Sequence, residues 1–153
     1  MYPFHDLKSN EVVEGIINYL NQNTDKEKEG ILHLDCGSGE FAKELHDSGF
    51  SRYHGTSANA GDIKAAKKLV PKFKTRFHKL SQPLGSDALK HKHDIILTTG
   101  SVDFEAIPSN QRLIVVTKDS SYSKVCIKLT PLFRIGATTV QHGDYFVTYG
   151  FRK

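Results

Sequence analysis

Two glycines that could bring backbone against a ligand, Gly37 and Gly39, follow an apolar run in ILHLDCGSGEFAKEL, residues 31–45. Glycine has no Cβ, so the chain can bend sharply there and its amides can approach a ligand closely. A helix beginning near Ser38 would add the attraction of its N-terminus for negative charge. An apolar strand, a glycine turn and a helix in this order are typical of α/β proteins that bind a nucleotide-like cofactor.

Two other groups could do chemistry. Cys36 precedes the predicted helix, where a thiol pKa is lowered, but no histidine pairs with it in sequence, so we interpret it as a packing residue. The stretch HKHD, residues 91–94, offers metal-ligating side chains. No second histidine or cysteine cluster completes a site, so the sequence predicts no metal.

Composition bounds the class of protein. The chain has 153 residues, of which 38% are hydrophobic and 25% charged, as expected of one globular domain over residues 1–153. Its apolar runs are too short to cross a bilayer, and its first residues do not resemble a signal peptide. With Cys36 and Cys126 as the two cysteines, we expect a reducing compartment, the cytoplasm.

The net charge of +4 is concentrated locally. Between Lys64 and Lys79 there are seven basic residues and no acidic ones. This basic stripe could meet a nucleic acid backbone. No aromatic or glycine nucleic-acid motif accompanies it, so a solvated helix face that runs into an exposed strand is favoured.

Periodicity predicts alternating helices and strands. Helices are expected at about 11–21, from near Ser38 to Ser48, around 63–70, and around 121–132. Strands are expected at 31–35, 50–56, 77–80, 93–100 and 112–118, followed by a hairpin that turns at His142–Asp144. The sequence therefore predicts a single α/β domain with a mostly parallel sheet, helices on both faces and a C-terminal antiparallel hairpin.

The segment from Ile31 to Lys68 resembles the first cofactor-binding motif of class I S-adenosylmethionine-dependent methyltransferases, which have a Rossmann-like fold. CGSG, Leu45 and the following GF…HG carry the likeness. It is nearest to the Williams–Beuren-region methyltransferase-like proteins and continues through LSQPL, HDIILTTGSVDFEAIP and YGFRK. It covers about residues 31–153, which would form the core, and implies S-adenosylmethionine as the cofactor.

Three positions depart from the family pattern. The family has an acid two residues into the strand and a glycine before the cysteine, where this chain has His33 and Asp35. In a second register, Asp35 itself begins the acid-x-Gly-x-Gly pattern. The third departure is Ser57, at the end of the second strand, where the family has an acid that accepts the ribose hydroxyls. Serine lacks the charge that strengthens such bonds, so we expect Ser57→Asp to tighten binding.

The resemblance also implies further cofactor contacts after the third and fourth strands, and none of its residues is assigned a catalytic role. A branched side chain at Gly39 is expected to block the ligand and leave the fold intact. The implied cofactor-binding residues are Asp35, Cys36, Gly37, Ser38, Gly39, Ser57, Ser81, Gln82, Thr99 and Gly100.

Two functions stay open at this point. One is methyl transfer to an acceptor that the sequence does not identify, either a small molecule or a protein. The other is a non-catalytic methyltransferase-like domain that acts as a binding or scaffold module. A nicotinamide enzyme also fits Gly37-x-Gly39-x-x-Ala42, but the second strand lacks its acid and the chain has no second domain for a substrate.

Overall fold

The computed structural model describes residues 11–34, 36–79, 94–99, 107, 110–118, 131–133, 137–142 and 144–153. Within them the helices are α1 Glu11–Asn23, α2 Glu40–Asp47 and α3 Ala60–Leu69, and a 3-10 helix spans Pro71–Arg76. The strands are β1 Ile31–Leu34, β2 Tyr53–Ser57, β3 Phe77–Lys79, β4 Ile95–Thr99, β5 Arg112–Lys118, β6 Thr138–His142 and β7 Tyr145–Phe151.

These strands form one sheet in the order β3-β2-β1-β4-β5-β7-β6. The first five pair in parallel, and β7 runs antiparallel between β5 and β6. The predicted α/β fold is therefore confirmed, with its mostly parallel sheet and C-terminal hairpin. Helices on both faces stay a prediction, because the described helices α1, α2 and α3 lie on one face. The strand order reverses between β1 and β4, and ligands of open α/β sheets bind outside the carboxyl ends of strands at such a point.

Each face of the sheet carries its own hydrophobic cluster. The helices α1, α2 and α3 all pack on the face that includes Ile31, Ile95 and Ile114. The opposite face, with Leu32 and Val115, is equally buried and is contacted by side chains such as Phe133. Burial on both faces explains why β1, β4 and β5 are predominantly apolar.

The second strand begins later than predicted, at Tyr53 instead of Phe50. Phe50 belongs to the end of α2, because its amide donates to Leu45 O while that of Gly49 donates to His46 O. This pair of bonds is a Schellman motif, and Gly49 has the required positive φ of 92°. The apolar Phe50 thus closes a helix rather than opening a strand.

The remaining predicted elements agree or lie outside the described residues. The first helix, the 112–118 strand and the pairing of the two hairpin strands are confirmed, and Gly143 of the hairpin turn lies outside the described residues. The 3-10 helix after Pro71 was not predicted. The helix expected around 121–132 lies almost entirely outside the described residues, and so does Leu80 of the third strand.

Candidate cofactor site

The glycine turn joins β1 to α2 at the carboxyl end of the strand. Both glycines have positive φ, 60° at Gly37 and 91° at Gly39, a region that other residues rarely adopt. Gly39 is the N-cap of α2 and provides no side-chain hydrogen bond to the first turn. The N-terminal amides of α2 therefore lack a side-chain cap, which suits an anionic ligand group.

Gly39 also has a packing role that the sequence did not reveal. A Cβ built on it would lie 2.9 Å from Ala66 Cβ and 3.0 Å from Ala66 Cα, on the adjacent helix α3. Together with the positive φ, this contact makes glycine necessary whether or not a ligand binds. The expectation that a branched side chain here would leave the fold intact is therefore reversed.

Cys36 ties the turn to the neighbouring strand. Its amide donates to Thr56 O in β2 at 2.8 Å, and its side chain is only 1% exposed. The thiol lies 3.6 Å from Gly37 O, within the turn itself. This burial agrees with the interpretation of Cys36 as a packing residue.

His33 occupies the strand position of the family's acid, but it faces the core. It is 0% exposed, and its Nδ1 lies 3.0 Å from the hydroxyl of Tyr53. Burial lowers the pKa of His33 to about 3, so the imidazole is neutral at physiological pH. Burial, with a smaller contribution from Cys36, raises the pKa of Tyr53. His33 is thus an uncharged, internally paired group.

Gly55 makes room for this pair. A Cβ at Gly55 would lie 2.7 Å from the Tyr53 hydroxyl and 3.1 Å from Cys36 Sγ. The hydroxyl therefore occupies the space that a side chain on the middle of β2 would fill. His33 and Tyr53 need this glycine to meet.

An acid does lie beside Ser57, although it comes from α3. The Ser57 hydroxyl donates to Asp62 Oδ2 at 3.3 Å, and the Ser38 hydroxyl donates to Asp62 Oδ1, also at 3.3 Å. Asp62 thus joins the glycine turn to the end of β2. The sequence pattern does not indicate Asp62, because the family's acid stands at the end of the strand and Asp62 lies in the first turn of the next helix.

The position of the Asp62 side chain follows from the cap of α3. Asn59 is the N-cap, and its Oδ1 accepts from the amides of Gly61 and Asp62. The Asn59 amide, which an acid at position 62 would accept from in a capping box, donates instead to Ser57 Oγ at 3.1 Å. The carboxylate of Asp62 is therefore released from capping and turns to Ser38 and Ser57.

Glu40, directly after the glycine turn, is a second acidic residue in this region. Its Oε2 is buried and has no hydrogen-bond partner within the described part of the chain. A buried acceptor without a partner is costly, which makes it a candidate for a ligand's donor group.

The other predicted contacts are only partly described. Thr99 ends β4 and its backbone pairs with Val116, one strand from β1, but its side chain is not described. Asp35, Ser81, Gln82 and Gly100 lie outside the described residues. Of the predicted set, the structure brings together Cys36, the two glycines, Ser38 and Ser57.

The basic stripe is solvated, as predicted. Six of its members are exposed: Lys64, Lys67, Lys68, Lys72, Lys74 and Lys79. Arg76 is half-buried and donates to Ser51 O. No acidic side chain of the described residues pairs with any of them.

The described residues contain neither a cluster of metal-ligating side chains nor a helix that could span a membrane. No group of three or more metal-ligating side chains occurs there, and His91 and His93 of the HKHD stretch lie outside them. No helix in this part of the chain is long and apolar enough to span a bilayer.

Comparison with solved structures identifies the fold. N-methyltransferase NodS from Bradyrhizobium japonicum, solved in complex with S-adenosyl-L-homocysteine, aligns with a TM-score of 0.62 at 12% identity, over 97% of this chain and 91% of its own. An rRNA methylase from Streptococcus thermophilus aligns with a TM-score of 0.66 at 8% identity, over 92% and 96%.

A ribosomal-protein methylase from Lactobacillus delbrueckii gives a TM-score of 0.67 at 16% identity, over 94% of this chain and 80% of its own. No family model and no curated protein matches the chain. At these identities the likeness shows the fold alone, and that fold is the Rossmann-like methyltransferase fold.

Proposed function

We propose that this protein is an S-adenosylmethionine-dependent methyltransferase. The observation that carries the proposal is the glycine turn at the carboxyl end of β1, beside the end of β2 and next to the point where strand order reverses. The likeness in fold to methyltransferases supports it. The nearer resemblance to the Williams–Beuren-region proteins, the single domain over 1–153 and the cytoplasmic location belong to the same proposal.

The residues around the turn fit the cofactor's functional groups. The uncapped N-terminus of α2 suits the carboxylate of its methionine part. The partnerless Oε2 of Glu40 suits the ammonium group. Ser57, at the end of β2, stands where the ribose is expected. We assign cofactor contacts to these residues and, by the resemblance, to Asp35, Ser81, Gln82, Thr99 and Gly100.

When bound, the cofactor supplies an electrophilic methyl group on a sulfonium centre, and transfer to an acceptor nucleophile leaves S-adenosylhomocysteine. The chain's part is to hold the two reactants close and in line, which needs no dedicated acid–base pair. We therefore assign no catalytic residue. The acceptor, a small molecule or a protein, is not identified by the described residues.

Calorimetric titration with S-adenosylmethionine and S-adenosylhomocysteine tests this proposal, with ATP as the control ligand that shares only the adenosine. Ligand at a hundred times its Kd stabilises the native state by about 2.7 kcal/mol. For a chain of this size that raises Tm by about 5–10 °C. Heat and a Tm shift with both cofactor forms, and neither with ATP, are expected.

One observation favours the second candidate, a non-catalytic module of the same fold. His33 replaces the strand acid with a buried neutral group, so one charged feature of the family's motif is missing. Absence of both heat and Tm shift at millimolar cofactor would decide for that module. Binding without transfer of labelled methyl to any tested acceptor would leave the cofactor site standing and place the doubt on the acceptor.

A further inference from the structure

The geometry points to Asp62 as the residue that accepts the two ribose hydroxyls of the cofactor, in place of the missing acid at position 57. This inference rests on the proposed function and adds to it a residue that the family pattern does not contain. It depends on how the carboxylate of Asp62 is placed, what it binds now and what capacity it retains.

Asp62 already accepts hydrogen bonds from two hydroxyl groups. Each carboxylate oxygen receives one hydroxyl, Ser38 on Oδ1 and Ser57 on Oδ2. An ionised carboxylate can accept about four hydrogen bonds, so about two acceptor sites remain. Two neighbouring hydroxyls on one ribose ring can fill the remaining sites together.

The bonds that Asp62 makes now are long. Both hydroxyl oxygens lie 3.3 Å from the carboxylate, whereas a hydroxyl bound to an ionised carboxylate normally lies about 2.5–2.7 Å away. The serines therefore hold the carboxylate in place without satisfying it. Shorter bonds from a ligand can form without breaking a strong internal contact.

No competing role accounts for the carboxylate. The capping bond it would otherwise make is supplied by Ser57 Oγ, which accepts from the Asn59 amide. No Lys, Arg or His of the described residues forms an ion pair with it. Asp62 is half-buried, so the residue keeps partial contact with solvent.

The placement also agrees with the chemistry of the turn. Ser38 belongs to the glycine turn and Ser57 to the end of β2, so Asp62 stands where these two parts meet. A ligand that lies along the turn with its ribose toward β2 passes this point.

The test is a cycle that pairs a protein change with a ligand change. Dissociation constants are measured for S-adenosylhomocysteine and for its 2′,3′-dideoxyribose analogue, with the wild type, Asp62→Asn and the control Asp47→Asn. Asp47 is an exposed carboxylate at the far end of α2 that pairs with Lys43. Asp47→Asn removes one negative charge, as Asp62→Asn does, so the two variants have the same net charge. Thermal unfolding without ligand shows whether each variant folds.

We expect Asp62→Asn to bind S-adenosylhomocysteine about tenfold to a hundredfold more weakly, as for loss of hydrogen bonds to a charged group. The wild type should lose a similar factor with the dideoxy analogue. Asp62→Asn should bind the two ligands almost equally, because the ribose hydroxyls add affinity only through their hydrogen bonds to the carboxylate. Asp47→Asn should behave as the wild type.

An equal loss for both ligands would mean that Asp62 only supports the turn, and unchanged affinity would remove it from the site; either result overturns the inference while the proposed function stands. If the wild type binds neither ligand, the proposed function fails first and the inference with it. Should Asp62→Asn not fold, Asp62→Glu retains the charge and displaces the carboxylate by one methylene. Its selectivity for S-adenosylhomocysteine over the analogue must then fall below that of the wild type, and unchanged selectivity refutes the inference.

Discussion

The role of Gly39 can be measured by replacing it with alanine. The new Cβ would stand 2.9 Å from Ala66 Cβ, whereas carbon atoms in contact normally lie about 3.5–4.0 Å apart. Forcing a methyl group into such a packed place costs about 1–3 kcal/mol. The positive φ of 91° adds about 1–2 kcal/mol for any residue with a Cβ.

Gly49 offers a matched control that separates the two costs. Its φ is 92°, almost the same as that of Gly39, but a Cβ there would meet only the flexible end of the Lys26 side chain, at 3.1 Å. Gly49→Ala therefore reports the backbone cost. The difference between the two variants, about 1–3 kcal/mol, reports the contact with Ala66.

Urea denaturation and thermal unfolding of the ligand-free protein provide the measurement. Gly39→Ala should lower the free energy of unfolding by about 2–5 kcal/mol, and Gly49→Ala by about 1–2 kcal/mol. Adding Ala66→Gly to Gly39→Ala removes the colliding methyl group, so the pair should be less unstable than the sum of the single changes predicts. Equal losses for Gly39→Ala and Gly49→Ala would refute the packing argument.

Three further changes test other parts of the site and its frame. His33→Gln should reduce the loss of stability at acid pH. The pKa of His33 is about 3 in the folded wild type and 6.5 in the unfolded chain, so the free energy of unfolding of the wild type should fall by about 2 kcal/mol between pH 7 and pH 5. The glutamine variant should not show this fall. Ser57→Asp, which the family pattern alone predicts to tighten binding, should instead weaken it and lower the free energy of unfolding by about 1–4 kcal/mol, because the new carboxylate would face that of Asp62. Arg112→Met should cost about 1–3 kcal/mol in denaturation, because Arg112 donates to Tyr19 OH at 2.6 Å and lies over the ring of Phe151.

Each of these has a clear contrary result. The sign of the His33 effect follows from its lowered pKa. Below pH 6.5 the unfolded chain binds a proton that the folded chain does not bind, so the free energy of unfolding decreases as the pH is lowered. If His33→Gln loses stability at acid pH as steeply as the wild type, a group other than His33 is responsible for the loss. Tighter cofactor binding by Ser57→Asp would show that Asp62 does not occupy the ribose position. Unchanged stability of Arg112→Met would mean that its bond to α1 contributes nothing.

The fold could be predicted because burial on both faces leaves a strong sequence pattern. The strand at 112–118 was placed with its observed bounds, since an apolar run ended by charged residues admits few alternatives. The second strand was misplaced at its start because Phe50 is apolar for another reason, the Schellman motif of the preceding helix. A pattern of hydrophobicity does not distinguish these two uses of one aromatic side chain.

The site was less predictable, because its key contacts depend on side-chain direction. In a capping box, the Asp62 carboxylate would accept from the Asn59 amide. In the structure the Asn59 amide donates to Ser57 Oγ instead, so the Asp62 carboxylate does not cap the helix and accepts from Ser57. Likewise the sequence placed His33 in the acid's slot, but only the structure shows Tyr53 as its partner. Competition between hydrogen-bond partners is decided in three dimensions.

The pairing of β1 has a consequence for synthesis of the protein. One edge of β1 pairs with β2, close in sequence, but the other pairs with β4, in the register Ile31 to Ile95. Ribosomes add about 5–20 residues per second, so the apolar β1 waits about 3–13 seconds for this partner to be made. During that time its free edge is a template for pairing with other chains. The turn that would hold the cofactor is thus anchored to a strand whose pairing is completed late in synthesis, and until then the nascent chain is exposed to aggregation through that edge.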